Sequence, residues 1–185
     1  MSEHVYLSLG SNLGDRVAQL RAAVRALREL GGVRFVAASP LYETEPWDTE
    51  PGKLRSEQDW YLNCVIEIDT ELPAPDLLER VHAIEASLGR TRPAGTPENA
   101  RFAARTVDID ILFYGPRVIS VPDDLHVPHL LAHERAFVLR PLADLAPDLT
   151  HPTLYQTVRE LLDQLADDHE VRPGGYPARW YEDGD

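Results

Sequence analysis

Residues 105–114, Arg-Thr-Val-Asp-Ile-Asp-Ile-Leu-Phe-Tyr, are the stretch on which the predicted fold depends. β-Branched and aromatic residues dominate it, which predicts a β-strand. Because strand side chains alternate between two faces, one face is apolar and consists of Val107, Ile109, Ile111 and Phe113. Asp108 and Asp110 share the other face, with their attachment points about 6.6 Å apart at about 3.3 Å per residue. The stretch therefore predicts a core strand with an acidic outer face.

The two aspartates allow two interpretations. Two carboxylates at this spacing suit one Mg²⁺ held between them, or a pair of ions about 3.5–4 Å apart. The alternative is an exposed strand face that happens to be acidic. Adjacent like charges repel each other without a cation, and Asp is a poor strand former. The metal interpretation is therefore favoured.

The bulk composition limits the class of protein. A length of 185 residues, with 43% hydrophobic and 26% charged residues, is typical of one soluble globular domain. No apolar run approaches the roughly 18 residues of a membrane span, and no secretion signal is evident. The single Cys64 fits a reducing cytoplasm, and the net charge of −13 argues against a nucleic-acid partner. We expect a cytoplasmic protein without a membrane or nucleic-acid partner.

The charge is unevenly distributed along the chain. Residues 90–105 contain four arginines and one glutamate, a local balance of +3, which predicts a small polyanion as ligand. Residues 167–185 are acidic and have little apolar content apart from Trp180 and Tyr181. We expect a single domain over residues 1–166, followed by a weakly ordered and dispensable tail. The alternative is that the two adjacent aromatic side chains dock into a groove.

The order of the predicted elements indicates the fold. Strands are expected at residues 5–9, 33–41, 61–68 and 105–114, with helices after the first and third strands. The order βαββαβ predicts a ferredoxin-like α+β sandwich, an antiparallel sheet with helices on one face, followed by C-terminal helices. We expect the last strand to lie centrally, with Asp108 and Asp110 on the open face opposite the helices.

Three other polar features have a functional and a structural interpretation. The turn at residues 10–15, between a strand and a helix, could bind phosphate, although a capped tight turn is favoured and no P-loop motif is present. Asn63 could read the edge of a heterocycle or be a solvated strand amide. His82 and Glu85 flank the apolar stripe of the second helix, as solvated side chains often do.

Six motifs occur in order along residues 4–152: Gly10–Leu13, Tyr42–Trp47, Tyr61–Asn63, Leu88–Arg90, Arg105–Ile111 and Val127–His129. Together they resemble the 6-hydroxymethyl-7,8-dihydropterin pyrophosphokinase family of folate biosynthesis. That family transfers pyrophosphate from ATP to the pterin hydroxymethyl group and releases AMP. The resemblance implies ATP and 6-hydroxymethyl-7,8-dihydropterin as substrates, and we expect a monomer.

The resemblance also implies roles for individual residues. Asp108 and Asp110 would hold two Mg²⁺ ions that bridge the ATP phosphates, and Arg90 and Arg105 would engage the transferring groups. The pterin pocket would be lined by Thr44, Pro46, Tyr61, Asn63 and Phe137. The ATP contacts would be His82, Glu85, Arg101, Ile111, His129 and Arg135.

Two other functions remain open at this stage. An Asp-x-Asp strand also serves in Mg-nucleotide enzymes such as nucleotidyltransferases, which release pyrophosphate rather than AMP. A ferredoxin-like binding module that has lost catalysis is the other, because Phe102-Ala103-Ala104 stands where the family usually has Trp-Gly-Pro.

Overall fold

The computed structural model describes residues 2–48, 54, 59–90, 105–122 and 124–182. Its strands are β1 (Glu3–Ser11), β2 (Val33–Ala38), β3 (Tyr42–Thr44), β4 (Tyr61–Thr70), β5 (Asp108–Tyr114), β6 (Ile119–Val121), β7 (Leu125–Val127) and β8 (Val171–Pro173). Its α-helices are α1 (Arg16–Glu29), α2 (Ala74–Ser87), α3 (Ala136–Leu145) and α4 (Val158–Asp163). Within these ranges, no helix is both long enough and apolar enough to cross a membrane.

The main sheet has six strands. Its order is β5-β1-β4-β3-β8, and β2 also pairs with β4, with every pairing antiparallel. The predicted α+β sandwich of the ferredoxin-like type is confirmed. The expected central position of the last strand is wrong, because β5 lies at the edge of the sheet. Since β4 already occupies one side of β1, the strand that follows α2 can pair only along the other side.

The apolar face of the sheet packs against α1 and α2. The buried side chains of this layer come from alternate positions of the central strands and from one stripe of each helix, and include Leu7, Ile66, Ile109, Val24 and Val81. Such burial of a helix stripe against a sheet face supplies most of the stability of a two-layer domain. The layer holds the strands in a fixed register, which positions the polar side chains on the opposite face.

A β-bulge interrupts the alternation of β5. Phe113 is paired with Tyr6 and Ile111 with Leu7, so Leu112 is the additional residue. A bulge turns the following side chain to the other face, and Phe113 therefore packs with Leu112 in the second apolar cluster, beneath α3 and α4. The expectation that Phe113 shares a face with Ile109 and Ile111 is wrong. Before the bulge the alternation holds, so Asp108 and Asp110 lie opposite the helix layer as predicted.

The predicted second strand, residues 33–41, is shorter than expected, and a separate strand follows it. β2 ends at Ala38, and β3 begins at Tyr42. Pro40 lies in the break, where its lack of an N–H would leave a gap in a continuous ladder. Ser39 bridges the interruption, because its backbone N–H donates to the Val65 carbonyl at 2.9 Å and its hydroxyl accepts from the Val65 N–H at 2.9 Å. After the break, β3 pairs with β4 on one side and with β8 on the other.

The C-terminal segment differs from the weakly ordered tail that the sequence predicted. β8 forms a ladder with β3, which pairs Val171 with Thr44. Trp180 is fully buried and its indole N–H donates to the Ser39 carbonyl at 2.8 Å. The Tyr181 ring lies 5.1 Å from that of Phe35. Backbone pairing and the burial of one large aromatic side chain offset the cost of ordering this segment, so the described fold continues to residue 182 rather than ending at 166.

Candidate active site

The polar face of the sheet provides the floor of a cleft. The register places Gly10 between Asp108 on β5 and Asn63 on β4, and it places Ser8 opposite Asp110. All five residues line the same cleft. Because α3 and α4 cover the other end of this face, the two aspartates and the amide remain accessible from one side. The strand register thus brings together an acidic pair and a buried amide on a single floor.

Loops and the start of α3 form the walls of the cleft. The chain after β3, the beginning of β4 and the first turn of α3 contribute its apolar and aromatic lining, and Arg105 closes the side next to Asp108. The wall residues include Thr44, Pro46, Trp47, Tyr61, Arg135 and Phe137. A concave site with aromatic walls and a few convergent polar groups is typical of a small-molecule site.

Asp108 is paired with two arginines. Its Oδ1 accepts from Arg90 and its Oδ2 from Arg105. Burial acts to raise the pKa of Asp108, but the positive charges and hydrogen bonds of the two guanidinium groups outweigh it and hold the pKa below its usual range. Asp108 is therefore a charged carboxylate, which fixes Arg105 at the edge of the cleft and Arg90 behind it.

Glu85 connects α2 to this cluster. Its side chain is 1% exposed and forms an ion pair with Arg90. The same carboxylate accepts from the backbone N–H of Ile109 at 2.8 Å. The interpretation of Glu85 as a solvated helix side chain is therefore wrong. Its position holds Arg90 and the start of β5 together behind Asp108.

Asp110 has a different environment from Asp108. Burial, and then the negative charge of Asp108, raises the pKa of the Asp110 carboxyl to about 7. The positive charges of Arg135 and Arg90 oppose this shift without reversing it. A carboxylate in such an environment is stabilised by a cation placed beside it. The donor set, two carboxylates on adjacent outward positions of one strand, consists of the hard oxygen ligands that Mg²⁺ prefers.

Asn63 has a fixed orientation. It is 4% exposed, so the interpretation as a solvated amide is wrong. Its Nδ2 donates to the Thr44 Oγ1 at 2.6 Å. Gly10 opposes it across the strand pair, where a Cβ would overlap Asn63 Oδ1. Because Gly10 has no Cβ, the amide oxygen of Asn63 can occupy this position on the floor of the cleft.

Arg135 lies at the aromatic end of the cleft. Its guanidinium carbon is 5.5 Å from the centre of the Trp47 ring and 5.6 Å from that of Phe137. Its Nε is buried and has no hydrogen-bond partner within the described residues. Burial lowers the pKa of Arg135, against the attraction of Asp110. A desolvated cation with an unused donor is suited to bind an anion in the cleft.

His129 lies beside the acidic strand without lining the cleft. Its backbone N–H donates to the Leu112 carbonyl at 3.0 Å, which attaches it to the bulge of β5. Burial, followed by the charge of Arg135, lowers the pKa of His129 to about 4. The imidazole is therefore neutral at physiological pH. Its Nδ1 accepts from the Leu131 N–H at 3.3 Å.

The cleft brings together most of the side chains that the sequence predicted for the site: Thr44, Pro46, Tyr61, Asn63, Arg105, Asp108, Asp110, Arg135 and Phe137. Arg90 is the support behind Asp108. Four of the predicted ATP contacts are not part of the cleft lining, namely His82, Glu85, Ile111 and His129. Ile111 is in the helix-side core. Arg101 lies outside the described residues, as do residues 91–104.

Sequence reasoning missed some residues of the site. Asn12 was assigned only to a turn, yet its Oδ1 accepts from the Arg105 N–H at 2.8 Å and its own N–H donates to the Arg105 carbonyl at 3.2 Å. The structural interpretation of the turn is otherwise confirmed, since Asp15 caps α1 by accepting from the Ala18 N–H at 3.0 Å. Trp47 was included in a motif but not assigned to the pocket, although an aromatic side chain within a charged connecting segment was a signal.

Comparisons with known proteins decide the family. The model of the 7,8-dihydro-6-hydroxymethylpterin-pyrophosphokinase family matches residues 6–147. The chain belongs to this family. A pyrophosphokinase of Methylorubrum extorquens is 45% identical over 160 residues, which cover 86% of this chain and 92% of that protein. The Pseudomonas aeruginosa enzyme of the same name is 42% identical over 152 residues, covering 82% and 86% respectively.

Solved structures show the same fold within longer proteins. A Plasmodium falciparum HPPK-DHPS structure matches with a TM-score of 0.65 at 19% identity, over 89% of this chain and 44% of that one. The folic acid synthesis protein fol1 of Schizosaccharomyces pombe is 39% identical, but the match spans only 20% of its length. This chain therefore corresponds to one part of those proteins.

Family membership confirms the predicted activity. The chain is a pyrophosphoryl transferase that acts on the hydroxymethyl group of 6-hydroxymethyl-7,8-dihydropterin in folate biosynthesis, with ATP as the donor. Neither alternative, the nucleotidyltransferase or the non-catalytic module, has support from the relatives. The family assignment leaves open which side chains perform each part of the reaction.

Proposed function

We propose that Asp108 and Asp110 would hold two Mg²⁺ ions together with ATP at the acidic end of the cleft, while the pterin binds at the aromatic end. The observation that carries this proposal is the shared floor, on which Gly10 separates the acidic pair from Asn63. ATP and the pterin, bound at the two ends of this floor, would be held close together and oriented for reaction.

The residues fit the proposed ions. Both carboxylates supply oxygen ligands, and Mg²⁺ commonly uses one or two carboxylates together with water and substrate phosphates. When bound, the ions would supply Lewis-acid stabilisation of the charge on the phosphate oxygens. Arg90 and Arg105 already bind one oxyanion, the Asp108 carboxylate. A phosphate group offers guanidinium the same kind of charged oxygen acceptor, so Arg105 at the cleft edge and Arg90 behind Asp108 can both stabilise the triphosphate.

The chemistry of the transfer follows from its products. The pterin hydroxyl oxygen forms a bond to the β-phosphorus of ATP, and the bond from that phosphorus to the oxygen of the α-phosphate breaks. AMP leaves, and the hydroxyl proton passes to solvent or to a phosphate oxygen. Such transfers depend mainly on in-line positioning and on cations placed at the developing charge. Arg90 and Arg105 supply the cationic side chains beside Asp108, and Arg135 adds a third at the aromatic end of the cleft.

The pterin is recognised by a fixed amide and an aromatic wall. Because Asn63 Nδ2 is engaged by Thr44, its Oδ1 is oriented to accept from the N–H groups on the amide-like edge of the pterin ring. Tyr61, Phe137 and Pro46 present apolar surface to the ring. The ATP contacts of His82, Arg101, Ile111 and His129 stay predictions, whereas the contacts of Glu85 suggest that it acts on ATP through Arg90.

Product analysis tests this function. The chain is incubated with Mg²⁺, ATP and 6-hydroxymethyl-7,8-dihydropterin, and the phosphorus products are followed by ³¹P NMR. We expect AMP and the pterin diphosphate in equal amounts. Release of pyrophosphate with a nucleotidylated pterin would indicate the nucleotidyltransferase instead. Binding of both substrates without turnover would indicate the non-catalytic module.

We also propose that the enzyme acts as a monomer in the cytoplasm, where ATP is available. The support is that the described cleft of one chain already combines the acidic pair with the amide proposed to bind the pterin, so the proposed reaction needs no residue from a second chain. Sedimentation at several protein concentrations checks the oligomeric state. A stable dimer whose activity falls on dilution would contradict the proposal.

Gly10→Ala is expected to raise the KM for the pterin about tenfold or more, with little change in the KM for ATP. The added methyl group would displace Asn63 Oδ1, which cannot turn away without losing the bond to Thr44, and a lost hydrogen bond of this kind costs about 1–3 kcal/mol. Gly31→Ala is the matched control, because its Cβ would meet nothing within 4 Å. An unchanged pterin KM in Gly10→Ala would contradict the role of Asn63.

Arg90→Ala and Arg105→Ala are each expected to lower kcat more than they raise the KM for ATP. The reason is that charge on the phosphate oxygens grows during transfer, so the guanidinium groups bind the transition state more tightly than the ground state. Steady-state kinetics with Arg117→Ala as control measures this, because Arg117 is exposed, pairs with Glu3, lies over the Tyr114 ring and does not line the described cleft. A variant that raised KM alone would show that this arginine binds the ground state and the transition state equally, and its catalytic role would be wrong.

A further inference from the structure

The first turn of α3 is capped from a distant part of the chain. The Asp167 side chain is 1% exposed, and its Oδ2 accepts from the backbone N–H of Ala136 at 2.7 Å. Its Oδ1 accepts from the backbone N–H of His169 at 3.0 Å and also pairs with the His169 ring. A carboxylate at a helix N-terminus satisfies free N–H groups and interacts favourably with the helix dipole. This turn carries Phe137 and begins next to Arg135, which both line the cleft.

His169 supports the aromatic wall from behind. Its ring stacks on that of Trp47 with 4.9 Å between centres and an angle of 26°. Trp47 in turn meets Phe137 edge-on, with 6.2 Å between ring centres. The His169 side chain is 12% exposed and does not line the cleft. Asp167 and His169 therefore influence the cleft indirectly, by their contacts with Trp47 and with the start of α3.

The backbone beside these two residues is attached to the other wall. The Glu45 N–H donates to the Glu170 carbonyl at 3.1 Å, and the Glu170 N–H donates to Glu45 Oε2 at 2.9 Å. The ladder then continues between β8 and β3. Residues 167–173 thus join the chain after β3 to the start of α3, the two segments that supply the aromatic end of the cleft.

We propose that Asp167 and His169 are positioning residues that hold Trp47 and Phe137 in the geometry that receives the pterin. The inference rests on the proposed pterin site. The family model ends at residue 147, so this support lies in a part of the chain that the family match does not include. Without the His169 ring, Trp47 loses its stacking partner. Without Asp167, the first turn of α3 loses its cap.

The test is direct binding, measured by calorimetry on the full chain. His169→Ala is expected to weaken binding of 6-hydroxymethylpterin by about three- to tenfold and to leave binding of Mg-ADP within about twofold, because the change removes one aromatic stack. His169→Phe keeps a ring against Trp47 and should retain most of the pterin affinity. Arg179→Ala is the matched control, since its side chain is 72% exposed and pairs with Glu182 in the same segment.

Hydrogen exchange separates this inference from the proposed function. His169→Ala should accelerate exchange at the amides of residues 45, 47, 48 and 136–139, and Asp167→Ala should do so at 136–139, whether or not the pterin binds. A wild-type chain that binds no pterin would refute the proposed site, and exchange would still report on the positioning. Unchanged pterin binding in His169→Ala, equal weakening of both ligands, or unchanged exchange would each overturn the positioning role.

Discussion

Asp110→Asn is expected to lower kcat by about 1,000-fold or more, which corresponds to about 4 kcal/mol of transition-state stabilisation. The substitution keeps the size of the side chain but removes a ligand of the proposed ions, whose charge stabilisation is worth several kcal/mol. Burial and the neighbouring Asp108 already disfavour the charge of Asp110. The folded state should therefore tolerate the neutral amide, and we expect no loss of Tm.

The control for this variant is Asp163→Asn, which makes the same chemical change at an exposed position on α4. Turnover is measured at saturating Mg²⁺ and both substrates, and thermal melting shows whether each variant is folded. A folded Asp110→Asn enzyme that kept more than about a tenth of the wild-type kcat, a difference of only about 1.4 kcal/mol, would contradict the metal assignment.

Truncation after Ala166 is expected to lower Tm by about 8 °C or more. It removes the fully buried Trp180, a type of loss that costs about 3–5 kcal/mol. It also removes the β8 ladder and the Asp167 cap of α3. Each kcal/mol shifts the Tm of a domain of this size by about 2–4 °C. The expectation from the sequence alone was the opposite, that this segment is dispensable.

Truncation after Glu182 is the matched control, because it leaves the contacts of Trp180 and Tyr181 in place. Calorimetric melting of both truncated chains and the full chain gives the comparison. A Tm shift below about 2 °C for the longer truncation would mean that the packing contributes less than about 1 kcal/mol, and the weakly ordered tail would then be the better description.

Local sequence patterns were sufficient to predict the strands and helices that hold the site residues. The alternation in residues 105–114 placed Asp108 and Asp110 on one face, and the order of strands and helices indicated the ferredoxin-like class. The same alternation failed at Phe113, because a bulge depends on the partner strand and leaves no mark in the periodicity of its own strand. The edge position of β5 was missed for a related reason, since it depends on which side of β1 was already paired.

Contacts between distant segments were not predictable from the sequence. The average hydrophobicity of residues 167–185 is low. An average does not show that one residue of the segment, Trp180, packs in the core. Nothing near Trp180 in the sequence indicates the Ser39 carbonyl as its partner. Glu85 shows the same limit, because its helical spacing suggested a solvated side chain, while the pairing with Arg90 and Ile109 depends on how α2 meets β5.

The most direct test of the acidic pair as the metal site is a count of bound ions. Mn²⁺ replaces Mg²⁺ as a paramagnetic probe, and its binding is followed by electron paramagnetic resonance with a non-hydrolysable ATP analogue and the pterin present. We predict two ions per wild-type chain and at most one in Asp110→Asn, with the control Asp163→Asn unchanged. Equal ion counts and affinities in the wild type and Asp110→Asn would contradict the assignment of the site.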